Sequence, residues 1–134
     1  MAISKTFSSS PLELKAIREF VLDSCHQFPF SEAKINEIVL AVDEACANVI
    51  RHGYKMSEQG RLEISVSSDQ QHALFVIKDV CAQISEQDLQ PKSQDLCQPG
   101  GLGLCLIHYV AEKVRLIPHK GKGNWLELAV KFEK

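Results

Sequence analysis

The stretch between Ser31 and Gly53 constrains the fold of this chain more than any other feature. Ser31 is a strong helix N-cap and Gly53 a common helix stop, so the residues between them read as one helix with apolar residues through Ile50. At about 100° per residue, Ile38, Val42, Ala45, Cys46 and Val49 fall on a single apolar arc. A helix with such an arc needs an apolar surface to lie on, and the chain supplies strands for it. Leu62-Glu-Ile-Ser-Val66 and Leu74-Phe-Val-Ile-Lys78 are alternating runs around a polar connection, Ser67–His72, the pattern of a β-hairpin.

The remaining segments complete the alternation of helices and strands. Ile3 to Phe7 alternates and predicts a short first strand. Ser10-Pro11 offers a cap followed by proline at the first helical position, and Leu12, Leu14, Ile17, Phe20 and Val21 carry that helix to about Cys25. Gln27-Phe-Pro-Phe30 is the break. Residues 85–99 are polar, contain two prolines and show no sustained periodicity, which predicts a long loop with room for one helical turn. Gly100-Gly-Leu-Gly103 opens a third helix to about Glu112, and Val114–Ile117 with Trp125–Phe132 predict a closing hairpin. The order β-α-α-β-β-α-β-β predicts an α+β two-layer sandwich, a mixed, mostly antiparallel sheet with three helices on one face. A chain of 134 residues is long enough to bury that core as a single domain, 1–134.

Composition excludes several function classes. A formal net charge of -2 gives no electrostatic drive toward nucleic acid or an anionic membrane. No apolar run approaches the roughly 20 residues that span a bilayer, and the first residues lack the basic flank and apolar stretch of a signal peptide. The expectation is a cytoplasmic protein. Its five cysteines, Cys25, Cys46, Cys81, Cys97 and Cys105, form no CxxC pair or zinc-like spacing, and read as reduced thiols used as small apolar residues.

Three features carry candidate chemistry. On the long helix, Glu37, Ala41, Glu44, Asn48 and His52 form a ridge beside the apolar arc, each step being three or four residues. A solvated face is the plain reading of any one of them, but a ridge with a carboxylate, an amide and an imidazole favours a site. Gln98-Pro-Gly-Gly-Leu-Gly-Leu104 places glycines before a helix, where backbone N–H groups and the helix N-terminus can hold an anion. It lacks the Lys-Ser/Thr of a P-loop and follows a loop rather than a strand, so by itself it is equally a turn. Asp79, at the end of an apolar strand, can accept a hydrogen bond from an exocyclic amine or simply begin a turn.

Taken in order, these features resemble a known family. Glu37-Ile-Val-Leu-Ala-Val-Asp-Glu-Ala-Cys-Ala-Asn-Val-Ile-Arg-His-Gly-Tyr54 is similar to the N-box of the histidine-kinase-like (GHKL, Bergerat-fold) ATPases, and within them to the bacterial anti-sigma factor serine kinases. The resemblance covers nearly the whole chain. It implies ATP or ADP with Mg²⁺ as cofactors. It makes Glu44 the general base, Asn48 the Mg²⁺ ligand, and Asp79 with Cys81 the base-recognition side. Gly100, Gly101, Leu102, Gly103 and Leu104 become the phosphate turn, Gly101 and Gly103 cradling phosphates beneath a lid of residues 85–99. The implied partners are a sigma factor and an anti-anti-sigma (STAS-type) protein phosphorylated on serine. A homodimer is also implied, formed through the first strand and neighbouring helix, with neither nucleic acid nor membrane as direct partner.

One departure from the family pattern bears on activity. The adenine-side box of the family is Asp-x-Gly-x-Gly, and this chain reads Asp79-Val-Cys81-Ala-Gln83. Backbone approach to a ligand is less free without those glycines, so weakened or altered nucleotide affinity is expected. The alternative is a catalytically degenerate regulatory module that binds protein partners without turnover. A metabolic ATPase ranks third, because nothing resembles a small-substrate pocket. His52 reads as a bystander, and the basic cluster Lys113, Arg115, His119, Lys120 and Lys122 as a solvated hairpin turn.

Overall fold

The structure, a computed structural model, describes residues 2–89 and 102–133. Among the described residues five strands, β1 (Ile3–Ser8), β2 (Arg61–Ser68), β3 (His72–Lys78), β4 (Lys113–Leu116) and β5 (Trp125–Lys131), form one sheet in the order β1-β2-β3-β5-β4. Every pairing is antiparallel. Period-two alternation aims one set of side chains at the helices: Leu62, Ile64 and Val66 from β2, Phe75 and Ile77 from β3, Leu126 and Leu128 from β5, all buried. Register stacks them directly, Ile64 opposite Ile77 and Phe75 opposite Leu128.

The helical layer is α1 (Leu14–Cys25), α2 (Glu32–Asn48) and α3 (Leu102–Val110), with α2 in the middle touching both others. The apolar arc of α2 is where periodicity put it: Ile38, Val42, Ala45 and Cys46 are at most 2% exposed. Ser31 caps α2 by accepting from the Lys34 N–H at 3.1 Å, and Ser10 caps a 3₁₀ turn, Pro11–Glu13, that leads into α1. Arg18 on α1 reaches Asp43 on α2 at 3.1 Å. The α+β two-layer sandwich is therefore as expected, except that the described strands pair antiparallel throughout instead of forming a mixed sheet.

Three local features differ from the sequence expectation. The third helix stops at Val110, not near Glu112, because the Glu112 N–H donates to Ala129 O at 2.8 Å and joins the chain to β5. The stop after α2 is not left-handed at Gly53. The chain passes through a π turn, Val49–Gly53, and the positive φ angles fall on Lys55 (52°) and Met56 (66°). The break before α2 is also more than a break: Phe28 and Phe30 pack on Phe132, ring centroids 5.8 and 5.5 Å apart, and Glu133 accepts from the Ser31 N–H at 2.7 Å.

At the sheet end far in sequence from the long helix, His72 sits buried between two carboxylates, Glu112 at 2.7 Å and Asp69 at 3.4 Å. The His72 hydrogen bond holds the Glu112 carboxyl below its ordinary 4.5, and the Gln71 N–H, then that of His72, does the same for Asp69. A carboxyl with a depressed folded pKa contributes stability above its unfolded value and loses it as pH falls through the folded one. Thermal melts from pH 6 to pH 3 are expected to show a decline beginning near pH 4.5. Glu112→Gln is expected to flatten that decline. Identical profiles for both proteins would remove Glu112 from the account.

Candidate functional site

Glu44 and Asn48 lie one turn apart on the last stretch of α2, both half-buried. The rest of the expected ridge is divided. Ala41 is 1% exposed and belongs to the core rather than to an open face. Glu37 pairs with Lys34 at 3.8 Å, and His52 is exposed. Helical hydrogen bonding widens to the π pattern immediately after Asn48, a distortion common near functional sites. Asn48 Oδ1 accepts from Arg51 Nη2 at 2.8 Å, so the oxygen expected to meet a metal is held by a cation in this state.

The π turn delivers Gly53 and Tyr54 to the loop that follows β3. The Tyr54 hydroxyl donates to Arg61 O at 2.6 Å and accepts from the Val80 N–H at 3.0 Å. Gly53 lies so close to Cys81 that an added Cβ would stand 2.6 Å from Sγ, so a larger residue there would have to push the Cys81 side chain aside. The end of the Glu44/Asn48 helix and the Asp79 loop are thus tied together. Burial, with the Asp79 charge beside it, pushes the Cys81 thiol up to about 11, so it is protonated and packs rather than reacts. Burial alone pushes the Cys25 thiol up to about 12, and Cys46 is raised further still.

Asp79 is 7% exposed. Its Oδ1 accepts the N–H of Cys81 at 2.8 Å, the N–H of Asn124 at 3.1 Å and Asn124 Nδ2 at 3.1 Å. Its own N–H donates to Asn124 O at 3.0 Å. Asn124, like Tyr54, is a residue that sequence reasoning missed. An asparagine at the turn before β5 has the right donor and acceptor set, but its partner is 45 positions away and no local pattern announces it. Residues Val80–Gln83 face the Gly121–Gly123 turn over an open cleft of about 460 Å³, whose lining includes Cys81 but not Asp79, Glu44 or Asn48.

The glycine turn falls partly outside the described residues: Gly100 and Gly101 are not among them. Leu102 and Gly103 begin α3, and Leu104 packs half-buried against the core. Of residues 85–99, only 85–89 are described, and they carry a 3₁₀ turn, Glu86–Leu89, whose Glu86 accepts the Leu116 N–H at 2.9 Å. Cys97 also lies outside the described residues. The basic cluster is partly neutralised, since Arg115 reaches Glu127 at 2.7 Å, while His119 stacks on Trp125 at 4.6 Å.

The donor set suits a hard cation held mainly by phosphate. Among the described residues no group of three or more His, Cys, Asp or Glu is placed to hold a metal. Mg²⁺ takes one or two protein oxygens and completes its shell from phosphates and water, so the Asn48 amide oxygen alone can serve as the protein's contribution. No helix among the described residues is long and apolar enough to cross a membrane.

Solved structures with this architecture define the class of fold. The chain aligns over 98% of its length with the RsbU and RsbW domains of a Mycobacterium tuberculosis protein, at TM-score 0.68, 15% identity and 32% of that chain. It aligns over 98% with the Acinetobacter baumannii histidine kinase AdeS, at TM-score 0.53 and 20% identity over 68% of that chain. These likenesses establish the fold, a histidine-kinase-like α+β sandwich.

Residues 7–130 match the histidine kinase-like ATPase domain, and the chain belongs to that family. Among characterised relatives it is similar to the serine-protein kinase RsbW of Bacillus subtilis, 29% identical over 66% of this chain and 60% of that protein. The anti-sigma F factor of Clostridium beijerinckii is 28% identical over 74% of this chain and 72% of its own length. The matched stretch thus spans under two thirds of the Bacillus subtilis relative.

Proposed function

We propose that this chain is an ATPase-fold serine kinase and anti-sigma factor: it holds ATP with Mg²⁺, sequesters a sigma factor, and phosphorylates a serine of an anti-anti-sigma partner. The observation that carries the proposal is the joining of the Glu44/Asn48 helix to the Asp79 loop through Tyr54 and the Gly53–Cys81 contact. That junction puts a carboxylate, an amide oxygen and a buried Asp on connected backbone. The family match and the named relatives support the same reading.

In this mechanism Asn48 supplies an oxygen toward Mg²⁺, and the ion neutralises phosphate charge when bound. Arg51 must release Asn48 Oδ1 for that, and its freed guanidinium is then available to the phosphates. Glu44 would accept the proton of the serine hydroxyl as its oxygen bonds to the γ-phosphorus, the bond from that phosphorus to the β–γ bridging oxygen breaks, and ADP leaves. With nucleotide bound, Asp79 would accept from the adenine amine with Cys81 beside it, the turn Gly100–Leu104 would offer N–H groups to phosphate oxygens, and residues 85–99 would serve as the lid. The whole chain acts as one cytoplasmic ATPase domain and assembles as a homodimer.

Titration with ATP by calorimetry is expected to give saturable heat with Mg²⁺ and at least tenfold weaker binding, roughly, when EDTA replaces it. Absence of both heat and thermal shift at millimolar ATP would overturn the nucleotide reading. The second reading, a module without turnover, is favoured by Cys81 and Gln83 lining the cleft where the family carries glycine. Phosphotransfer to the partner separates the two.

A further inference from the structure

The geometry points to Asn124 as the positioning residue that aims Asp79 at a nucleobase amine and so sets base selectivity, an inference that rests on the nucleotide reading above. Asn124 is 7% exposed and binds the Asp79 loop at both ends of its amide. Nδ2 donates to Asp79 Oδ1 at 3.1 Å and to Ala82 O at 3.0 Å, while Oδ1 accepts the Ile84 N–H at 2.9 Å. The side chain therefore fixes the path of residues 79–84, a segment with no glycine to define its turns.

The same bonds divide the two oxygens of Asp79. Oδ1 takes three N–H donors, two of them from Asn124. No N–H of a described residue reaches Oδ2, and the Cys81 thiol is the other group that interacts with the carboxylate. No buried side-chain oxygen among the described residues lacks a partner, so Oδ2 keeps an accessible edge. With Oδ1 held on three sides the carboxylate cannot rotate to exchange its oxygens. The outward oxygen is then always a bare acceptor. An acceptor fixed in place takes the amine of adenine and repels the carbonyl that hypoxanthine presents at the same position. A carboxylate free to turn would discriminate less, because it could retreat from the carbonyl.

The test compares ATP with inosine triphosphate, both with Mg²⁺, by calorimetry on the full chain, with thermal melts alongside. The wild type is expected to prefer ATP by about tenfold or more, the scale of one hydrogen bond to a charged group. Asn124→Ala and the equal-sized Asn124→Asp, which places an acceptor against Asp79 Oδ1, are expected to bring the ratio within about threefold. Asp79→Asn is expected to do the same, and combining it with Asn124→Ala to lower the ratio no further, as for two residues acting through one contact. If Asn124→Ala does not fold, Asn124→Asp carries the comparison.

A ratio unchanged in the Asn124 variants, with both nucleotides weakened alike and the melting temperature lowered, would reduce Asn124 to a structural brace and overturn the inference alone. Equal binding of both nucleotides by the wild type would also overturn it, leaving ATP binding standing. A wild type that binds neither would remove the nucleotide reading and this inference together.

Discussion

Glu44→Ala is expected to lower phosphotransfer to the partner serine by about a hundred- to ten-thousandfold, the usual contribution of a positioned general base. ATP and Mg²⁺ affinity should change by no more than about threefold, since the carboxylate acts on the attacking hydroxyl rather than on the bound nucleotide. The position supports that separation. Glu44 is half-buried one turn before Asn48, on the α2 face next to the apolar arc, and makes no ion pair among the described residues. Removing it leaves the core contacts of Val42, Ala45 and Cys46 in place, so the fold should persist. Radiolabelled transfer to the cognate antagonist protein measures the first quantity and calorimetry the second. If transfer and affinity fall together, Glu44 is a ligand-binding group and the base lies elsewhere. If wild type and variant are equally inert while the sigma factor is still bound, the chain is the interaction module.

What the sequence made legible follows from the range of the physics involved. The arc of Ile38, Val42, Ala45 and Cys46 depends only on helical period, and the structure buries all four. The β2–β3 hairpin depends on alternation and a short polar connection, and it forms with Ile64 opposite Ile77. Elements whose identity rests on distant contacts read less well. Gly53 resembles a helix stop in sequence, but its real constraint is Cys81, a residue on another segment. Ala41 belongs to the same ridge pattern as Glu44, yet it is buried in the core cluster. Phe28 and Phe30 look like loop residues until Phe132 arrives from the far end of the chain. Of the site, Glu44, Asn48 and Asp79 were legible as residue types in order. The Tyr54 bridge and the Asn124 brace were not, because each is a hydrogen bond between segments that only the folded sheet brings together.

Gly123→Ala is expected to be the most damaging glycine-to-alanine change among the described residues. Gly123 sits at φ +86°, and a Cβ there would stand 1.8 Å from Asp79 O and 2.7 Å from Val80 Cα. The obstacle is backbone, so no rotamer change can relieve it, and Asp79 is anchored by its N–H bond to Asn124 O just past the β3–β5 pairing. Left-handed backbone costs about 1–2 kcal/mol for a residue with Cβ, and displacing β3 from β5 adds to it, for a total of about 3 kcal/mol or more. For a domain of this size that lowers the melting temperature by roughly 10 °C. Gly121→Ala is the control. Its φ of +111° is also left-handed, but nothing lies within 4 Å of the added Cβ, so it should lose only the backbone contribution. The two variants are expected to differ in function as well. Gly123→Ala separates Asn124 from Asp79 and should abolish selective ATP binding in whatever fraction still folds, whereas Gly121→Ala leaves that contact intact. Equal losses of melting temperature and equal nucleotide affinities in the two would mean that the close approach of Gly123 to Asp79 does not hold the base-recognition side in place.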